Sequence, residues 1–274
     1  MPTEQPDRSL SLLTFNIGGP SPERAGRQLA WLAQRPEQVL VLTETTPGDG
    51  CAFLADRFTS AGYAVAYPVP DKGERGVMIV SRLPMAEASP LSTAYLPYRA
   101  VSATVKTQAG PVDVLGLYVP SRDASPAKIE RKQRFLDGLQ ATIAHGSASG
   151  RVVLGDFNIL EPDHDPRYAT FRPFEYGFYS WLGDNGYHDA FRRLHPGDRE
   201  YSWVGRTNDG YRYDHAFVSD PLSGLVDDCT YVHEPRTVTR LSDHSGLSLR
   251  LAVAGDEPLV VFDPTVLPEP ETLF

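Results

Sequence analysis

Residues 151–158 read RVVLGDFN. The apolar run Val152–Leu154 has the length and branching of a buried strand. Asp156 and Asn158 stand just past its end, before a loop containing EPDHD. An acid and an amide at such a place have two readings. Asp156 can receive backbone hydrogen bonds in an Asx turn, or the pair can belong to a metal-assisted active site. The four residues GDFN do not choose between these, so the rest of the chain has to.

The chain has 274 residues, enough for one large core. With 41% hydrophobic and 22% charged residues, it has the composition of a globular protein rather than a disordered one. Cys51 and Cys229 make neither a disulfide framework nor a metal-site spacing, which suits packing roles in a reducing compartment. No apolar run approaches membrane-spanning length, and MPTEQPDRSL lacks a signal-peptide core. The expectation is a cytoplasmic monomer with no membrane partner. A formal net charge of -9 argues against a broadly basic nucleic-acid coat. It leaves room for a local basic rim, or for a phosphate site in which metal ions offset clustered carboxylates.

Working outward from GDFN, strands and helices alternate. SLLTFNI reads as a strand ending at a Gly-Gly-Pro turn, ERAGRQLAWLA as a helix, and QVLVLTE as a second buried strand. A helix in AFLADRFTS precedes strand candidates AVAYPV, GVMIVSR, RAVSATVK and VDVLGLYV. Residues 125–144 form the clearest helix, with Ile129, Phe135, Leu136, Leu139 and Ile143 on one side and Ser125-Pro126 at its start. Residues 159–187 read as loops with short helices, HDAFRRL as one or two helical turns, and YRYDHAFVS, CTYVH and LSLRLAV as closing strands. Several strand pairs lack room for a crossover helix and are therefore antiparallel. The fold class is α/β: two packed mixed sheets with outer helices. Residues 1–9 read as an N-terminal extension, 10–254 as one domain, and 255–274 as a Pro-rich acidic tail whose Val, Leu and Phe suit an extended segment packing back on the domain.

Chemically capable residues recur at strand ends: Asn16 in TFNIG, Glu44 in VLTET, Tyr118 in LYVPSRD, Asp156 and Asn158 in GDFN, Asp214 in RYDH, and Asp243 with His244 in SDHS. Each alone has a structural explanation, a turn cap for Asn16 or a surface turn for His244. Their order does not. TFNI, TE, YVPS, GDFN, YSW, RYDH and SDH resemble, in sequence order, the exonuclease–endonuclease–phosphatase family, and most of all its exonuclease III and abasic-site endonuclease branch. The resemblance runs from about residue 10 to about residue 252. It implies a four-layered α/β sandwich and divalent-metal-dependent hydrolysis of a phosphate ester.

By that resemblance Glu44 is the principal metal ligand, with Asn16 and Asp243 arranging its shell. The cofactor implied is Mg²⁺, with Mn²⁺ able to substitute, since a hard cation prefers oxygen ligands. Asp156 orients or deprotonates the attacking water, and Asn158 and the Tyr118 hydroxyl contact the phosphate. His244 is the phosphate-side donor, with Asp214 fixing its ring and raising its affinity for a proton. Strand alternation turns His215 to the face opposite Asp214, where packing is its expected role. The acids of PDHDP, residues 162–166, are expected to be solvated.

For the substrate, Trp203 lies eleven residues before Asp214, with Arg206 and Arg212 between them. The segment could pack Trp203 against a sugar or base while its arginines contact neighbouring phosphates. HDAFRRLHPG resembles the family's DxFRxxHP stretch through Asp189, Phe191, Arg192, His195 and Pro196, read here as structural. The chain departs from the family at Ser121, where relatives carry an amide, and Arg122 could supply the missing phosphate contact. NIGG lacks the extra carboxylate of some relatives. A nucleic-acid phosphodiesterase, DNA favoured, is the leading reading. A small phosphate ester as substrate is the second, and a catalytically silent binding protein of the same fold the third.

Overall fold

The computed structural model describes residues 9–91, 95–143 and 150–266. In chain order its elements are β1 (Leu10–Asn16), α1 (Pro22–Ala33), β2 (Val39–Thr45), α2 (Asp49–Ser60), β3 (Ala64–Ala66), β4 (Gly76–Ser81), β5 (Met85–Pro90), β6 (Ala100–Thr107), β7 (Gly110–Tyr118), α3 (Pro126–Ile143), β8 (Gly150–Asp156), α4 (Pro173–Asp184), β9 (Tyr187–Asp189), α5 (Ala190–Leu194), β10 (Trp203–Val204), β11 (Gly210–Tyr211), β12 (Asp214–Ser219), α6 (Asp220–Ser223), β13 (Val226–Val232), α7 (Glu234–Thr237) and β14 (Gly246–Leu251). Among these residues there are two six-stranded mixed sheets, ordered β13-β14-β1-β2-β4-β3 and β5-β6-β7-β8-β12-β9, and a two-stranded ribbon, β10-β11.

Each large sheet contains one parallel pair, β1 with β2 and β7 with β8. A parallel pair needs a long crossover, and α1 and α3 supply it. α1 starts cleanly because Ser21 caps the backbone N–H of Arg24 and Pro22 sits in the first turn. Its buried face is Ala25, Leu29 and Leu32, at helical spacing.

Strand alternation sorts the side chains into layers. Leu10, Leu12, Val39 and Val41 of one sheet meet Val112, Val114, Val152, Leu154 and Ala216 of the other in the inter-sheet core. Leu13, Phe15, Leu40 and Leu42 face the other way, against α1 and α2. Leu115, Leu117, Val153 and Phe217 pack on Phe135 and Leu139 of α3 and Phe178 and Leu182 of α4. The result is the four-layered sandwich. A buried Phe or Leu in any layer contributes about 1.5–3 kcal/mol.

The glycine of GDFN has a physical reason. A Cβ on Gly155 would lie 1.9 Å from the Leu117 carbonyl oxygen, so only glycine lets β8 approach β7 here. Beyond the last strand, residues 256–262 run back over the domain, with backbone bonds Asp256 N–H to Lys106, Leu259 N–H to Arg82 and Phe262 N–H to Ala61. Residues 267–274 of the acidic tail, and 1–8 of the N-terminal extension, lie outside the described residues.

Two elements differ from the sequence reading. Residues 159–187 hold a full helix, α4, whose buried set mixes Phe178 and Leu182 with the acid Glu175. β5 is a strand although its sequence, MAEASP, has no β-branched or aromatic residue, because it is a sheet edge with its middle residues exposed.

Candidate active site

The polar residues gather where both parallel pairs end. Pairing sets Tyr118 beside Asp156 across β7 and β8, and Asp214 beside Asp156 across β12 and β8. All three share the parity of the inter-sheet core, so the apolar layer ends in a row of polar groups. From the facing sheet come Asn16, the last residue of β1, and Glu44, at an irregularity between Thr43 and Thr45 of β2. Glu44 has φ 59, and Asn158 has φ 49. Left-handed backbone at non-glycine residues costs on the order of 1 kcal/mol and marks positions where side-chain aim matters.

A continuous chain of contacts crosses from one sheet to the other. The Asn16 amide nitrogen donates to Glu44 Oε2 at 3.0 Å and to Asp156 Oδ2 at 2.9 Å. Asp156 Oδ2 lies 3.9 Å from His244 Nε2, and His244 Nδ1 meets Asp214 Oδ2 at 2.7 Å. The SDHS turn is fixed to the end of β1 by the Ser242 hydroxyl, which donates to the Asn16 carbonyl at 2.6 Å and accepts the His244 N–H at 3.1 Å. Asp156 Oδ1 accepts the Asn158 N–H at 2.9 Å, and the Asn158 amide donates to the Val119 carbonyl at 3.0 Å.

The electrostatics follow from burial. Desolvation pushes the Asp156 carboxyl up to about 7, opposed by His244 and reinforced by Asp214 and Glu44. Burial alone would lower the His244 imidazole, but Asp214, Asp156 and the Asp214 hydrogen bond overcome it and push it up to about 10. Tyr118 is raised by burial and by Glu44 and Asp156, so its phenol stays protonated and able to donate.

Asp156, Asp214 and His244 present ligand atoms within 4.8 Å of one another, a group able to hold a divalent cation. A protonated imidazole has no free nitrogen lone pair, however. The donor set better matched to a hard cation is oxygen-rich, and Glu44 and Asp156, gathered by the Asn16 amide, provide it. Asp214 Oδ1 is buried with no hydrogen-bond partner, an acceptor left open.

The cleft over this group has a volume of 660 Å³ and is walled by Phe171, Trp203, Tyr211 and Tyr213. Tyr211 and Tyr213 stack at 5.1 Å between ring centroids, and Trp203 lies 5.3 Å from Tyr211. Tyr118, Ser121, Arg122, Asn158 and His244 also line the cleft. Arg122 lies there with its guanidinium ion-paired to Glu175 and donating to the Thr170 carbonyl.

Two expected placements are corrected, and a third residue, Asp243, stands outside the cleft beside Glu44. Arg212 is not at the rim: its side chain, between β11 and β12, is fully buried and held there by bonds to Glu161 and Asp189 at 2.7 Å each. Arg206 is exposed in the turn between β10 and β11 and lines neither the cleft nor the neighbouring groove. Asp243 does not join the hydrogen-bonded chain: its Oδ2 accepts from Trp203 Nε1 at 2.9 Å, and it borders an adjoining groove together with Glu44. His215 does face away, packed edge-on to Phe157. Cys51 and Cys229 are both buried. Asp163 and Asp165 are exposed, but His164 between them is buried against Tyr168.

Sequence reasoning passed over Lys132, Glu175 and the Tyr211/Tyr213 pair. Lys132 is 1% exposed, with Nζ at 2.6 Å from Glu175 and a bond to the Asn158 carbonyl. Burial lowers its ammonium to about 8, against the pull of Glu175. The signal was available: Lys132 sits three residues after Ile129 and three before Phe135, on the apolar side of α3.

A two-sheet sandwich with carboxylates, an amide and an imidazole at the strand ends defines a class, the metal-dependent nuclease and phosphoesterase fold. The chain belongs to the Endonuclease/Exonuclease/phosphatase family, whose model matches residues 13–244. It is 26% identical over 263 residues to exodeoxyribonuclease III of Haemophilus influenzae, covering 86% of this chain and 97% of that protein. Among solved structures it resembles a 3′ phosphatase from Neisseria bound to a product DNA hairpin, with TM-score 0.77, 25% identity, and 88% and 99% of the two chains covered. It also resembles a 3′-5′ exonuclease from Neisseria meningitidis, with TM-score 0.76, 26% identity, and 88% and 99% covered. An AP endonuclease from Archaeoglobus fulgidus shares the fold at TM-score 0.75 and 24% identity, with 88% and 98% covered. No helix among the described residues is long and apolar enough to cross a membrane.

Proposed function

We propose that this protein is a Mg²⁺-dependent phosphodiesterase acting on nucleic acid, with DNA as the favoured substrate. The observation that carries the reading is the chain Glu44–Asn16–Asp156–His244–Asp214, which joins both sheets beneath an aromatic-walled cleft. Its nucleic-acid relatives in exodeoxyribonuclease III and the Neisseria enzymes support the choice of substrate.

Each residue then has a task set by its surroundings. Glu44 and Asp156, with Asn16 between them, would hold the cation, and Asp243 borders Glu44 on the groove side. A bound divalent cation supplies positive charge that polarises the phosphoryl oxygens and favours the ionised form of Asp156. Asp156 takes a proton from the attacking water as the oxygen bonds to phosphorus, and the P–O bond to the leaving alkoxide breaks in line. His244, kept protonated by Asp214, donates to a phosphate oxygen as negative charge builds there. The Tyr118 phenol donates to the same group, while Asn158, tied to the Val119 carbonyl and Lys132, holds the geometry. Phe171, Trp203, Tyr211 and Tyr213 offer faces for a sugar or base.

A second reading, a small phosphate ester, is favoured by one observation: Arg122 and Lys132 in the cleft are both paired with Glu175. A substrate panel decides. Metal-stripped protein should be inactive, and Mg²⁺ or Mn²⁺ should restore cleavage of abasic duplex, recessed duplex or single-stranded DNA. Brisk release of phosphate from a soluble monoester, with no nucleic acid cut, would replace the first reading by the second.

A further inference from the structure

Glu44 stands between two openings. On one side is the aromatic-walled cleft, and on the other a groove of 560 Å³ lined by Arg24, Arg236, Arg240, Val204 and Asp243 among others. Strand β10 is the partition: Trp203 faces the cleft and Val204 the groove.

The cations of the two openings are in different states. In the cleft, Arg122 and Lys132 share one carboxylate, Glu175. In the groove, none of the three arginines has a carboxylate within 4.0 Å among the described residues. Their oxygen acceptors carry no formal charge, and Arg236 Nη2 lies 3.4 Å from His233 Nδ1, whose ring pairs with Glu200 at 3.1 Å. Arg24 donates to the Gly18 carbonyl at 2.5 Å, Arg236 to the Ser245 hydroxyl at 2.9 Å and the Tyr201 carbonyl at 3.3 Å, and Arg240 to the Arg236 carbonyl at 3.2 Å. Burial weakens the hold of Arg236 on its proton; Glu200 opposes this and Arg240 adds to it. Arg240 itself is held at φ 53, in left-handed backbone. The negative groups in the groove are Glu44, which the proposed cation would neutralise, and Asp243, whose Oδ2 is occupied by the Trp203 indole. Guanidinium groups fixed by neutral acceptors keep their charge and planar donor forks available, the pattern that recognises phosphate.

We infer that Arg24, Arg236 and Arg240 form a subsite for a non-scissile phosphate of the substrate strand, at least one nucleotide away from the phosphate that meets His244. The inference rests on the phosphodiesterase reading and extends its substrate from a nucleotide ester to a strand running past Glu44. It also removes the difficulty of the acidic net charge, because the needed positive field is local.

The test compares wild type, R24Q/R240Q and R24K/R240K on a short single-stranded DNA oligonucleotide and on the p-nitrophenyl ester of thymidine 5′-phosphate. For the oligonucleotide, R24Q/R240Q should raise KM about tenfold with kcat nearly unchanged, and the log–log salt dependence should flatten by about 1, the contribution of one phosphate contact. Hydrolysis of the nucleotide ester should not change, and R24K/R240K should recover most of the oligonucleotide KM. Unchanged oligonucleotide KM and salt slope would overturn the subsite, as would equal losses on both substrates. Loss of inhibition by pyrophosphate with unchanged oligonucleotide KM would assign the groove to free phosphates and overturn the strand assignment. If wild type hydrolyses neither substrate, the phosphodiesterase reading fails. Anisotropy of the labelled oligonucleotide in EDTA still decides the subsite, with weaker binding by R24Q/R240Q supporting it and equal binding overturning it.

Discussion

Two buried charge clusters, one around Arg212 and one around Asp156, are built on opposite principles. Around Arg212, two arginines meet two acids. Glu161 bonds both Arg192 and Arg212, and Asp189 bonds Arg212, the Tyr179 hydroxyl and the Arg192 N–H. Although burial works against them, these partners hold Glu161 down at about 2 and Asp189 lower still. Around Asp156, by contrast, Glu44, Asp156 and Asp214 face one imidazole, with Arg75 at 3.5 Å from Glu44 on the solvent side. Asp156 is pushed up rather than down, and Asp214 Oδ1 has no partner. The first cluster is closed apart from one Arg212 nitrogen, Nη1. The second is short of positive charge. A balanced cluster holds a fold together, whereas an unbalanced one is kept because something else is meant to bind there.

The largest expected effect of breaking the contrast is on stability, in the closed cluster. Arg212→Ala leaves Asp189 and part of Glu161 as buried unpaired acids, which should cost about 3–5 kcal/mol. Urea unfolding of the variant measures it. A loss under about 1 kcal/mol, the range of an exposed ion pair, would mean that water reaches this network and that it is not closed.

In the open cluster the damage should fall on turnover. His244→Ala should lower kcat by about 10²–10³-fold, or about 3–4 kcal/mol of transition-state stabilisation. Asp214→Asn should do less, and the double variant should lose less than the sum, because Asp214 acts through the imidazole. Steady-state kinetics of the four proteins, beside an NMR titration of His244, tests this. Additive losses with an unmoved histidine titration would leave Asp214 as a strand-end structural acid.

The sequence carried one cluster and hid the other for the same physical reason. Strand ends are legible locally, so Asn16, Tyr118, Asp156 and Asp214 could be gathered from their strand-end positions and from the resemblance carried by the order of their motifs. Arg212 shares that neighbourhood in sequence but is fixed by Glu161 and Asp189, which are 51 and 23 residues away. Arg212 stands in the short connection between β11 and β12, where no strand period says which way a side chain turns. Trp203 and Asp243 were assigned separate tasks, and only the fold brings them within a hydrogen bond. α4 was obscured because its buried face includes Glu175, whose partners Arg122 and Lys132 come from the segment before β8.

A smaller effect sharpens the comparison by its sign. Asp156→Asn should abolish most activity and yet stabilise the metal-free protein by about 2 kcal/mol, since burial, Asp214 and Glu44 disfavour this carboxylate more than His244 favours it. The same change at Asp189 in the closed cluster should destabilise. Thermal unfolding in EDTA of D156N and D189N separates the two. Destabilisation by both would mean that Asp156 is as well paired as Asp189.

The smallest effect is a slope with pH, and it too has opposite signs in the two clusters. Folded Asp156 titrates near 7, above the usual carboxylate value of about 4. Between those values the folded protein holds more protons than the unfolded chain, so stability falls as pH rises, by at most about 1.4 kcal/mol per unit. His244 acts in the same direction at higher pH: its stabilisation is complete below the ordinary imidazole value, about 6.5, and is lost as pH rises through about 10. Glu161 acts in reverse, because its folded value is lowered to about 2. Its contribution is present above the usual carboxylate range and disappears only as pH falls through that folded value. Urea unfolding of metal-free wild type and D156N at a series of pH values from about 4 to about 7 isolates the first term. The two proteins should be nearly equal in stability at the acid end and diverge steadily toward neutrality, D156N being the more stable. Parallel curves would mean that Asp156 ionises like a solvated acid, and the contrast between an open and a closed cluster would then have no electrostatic basis.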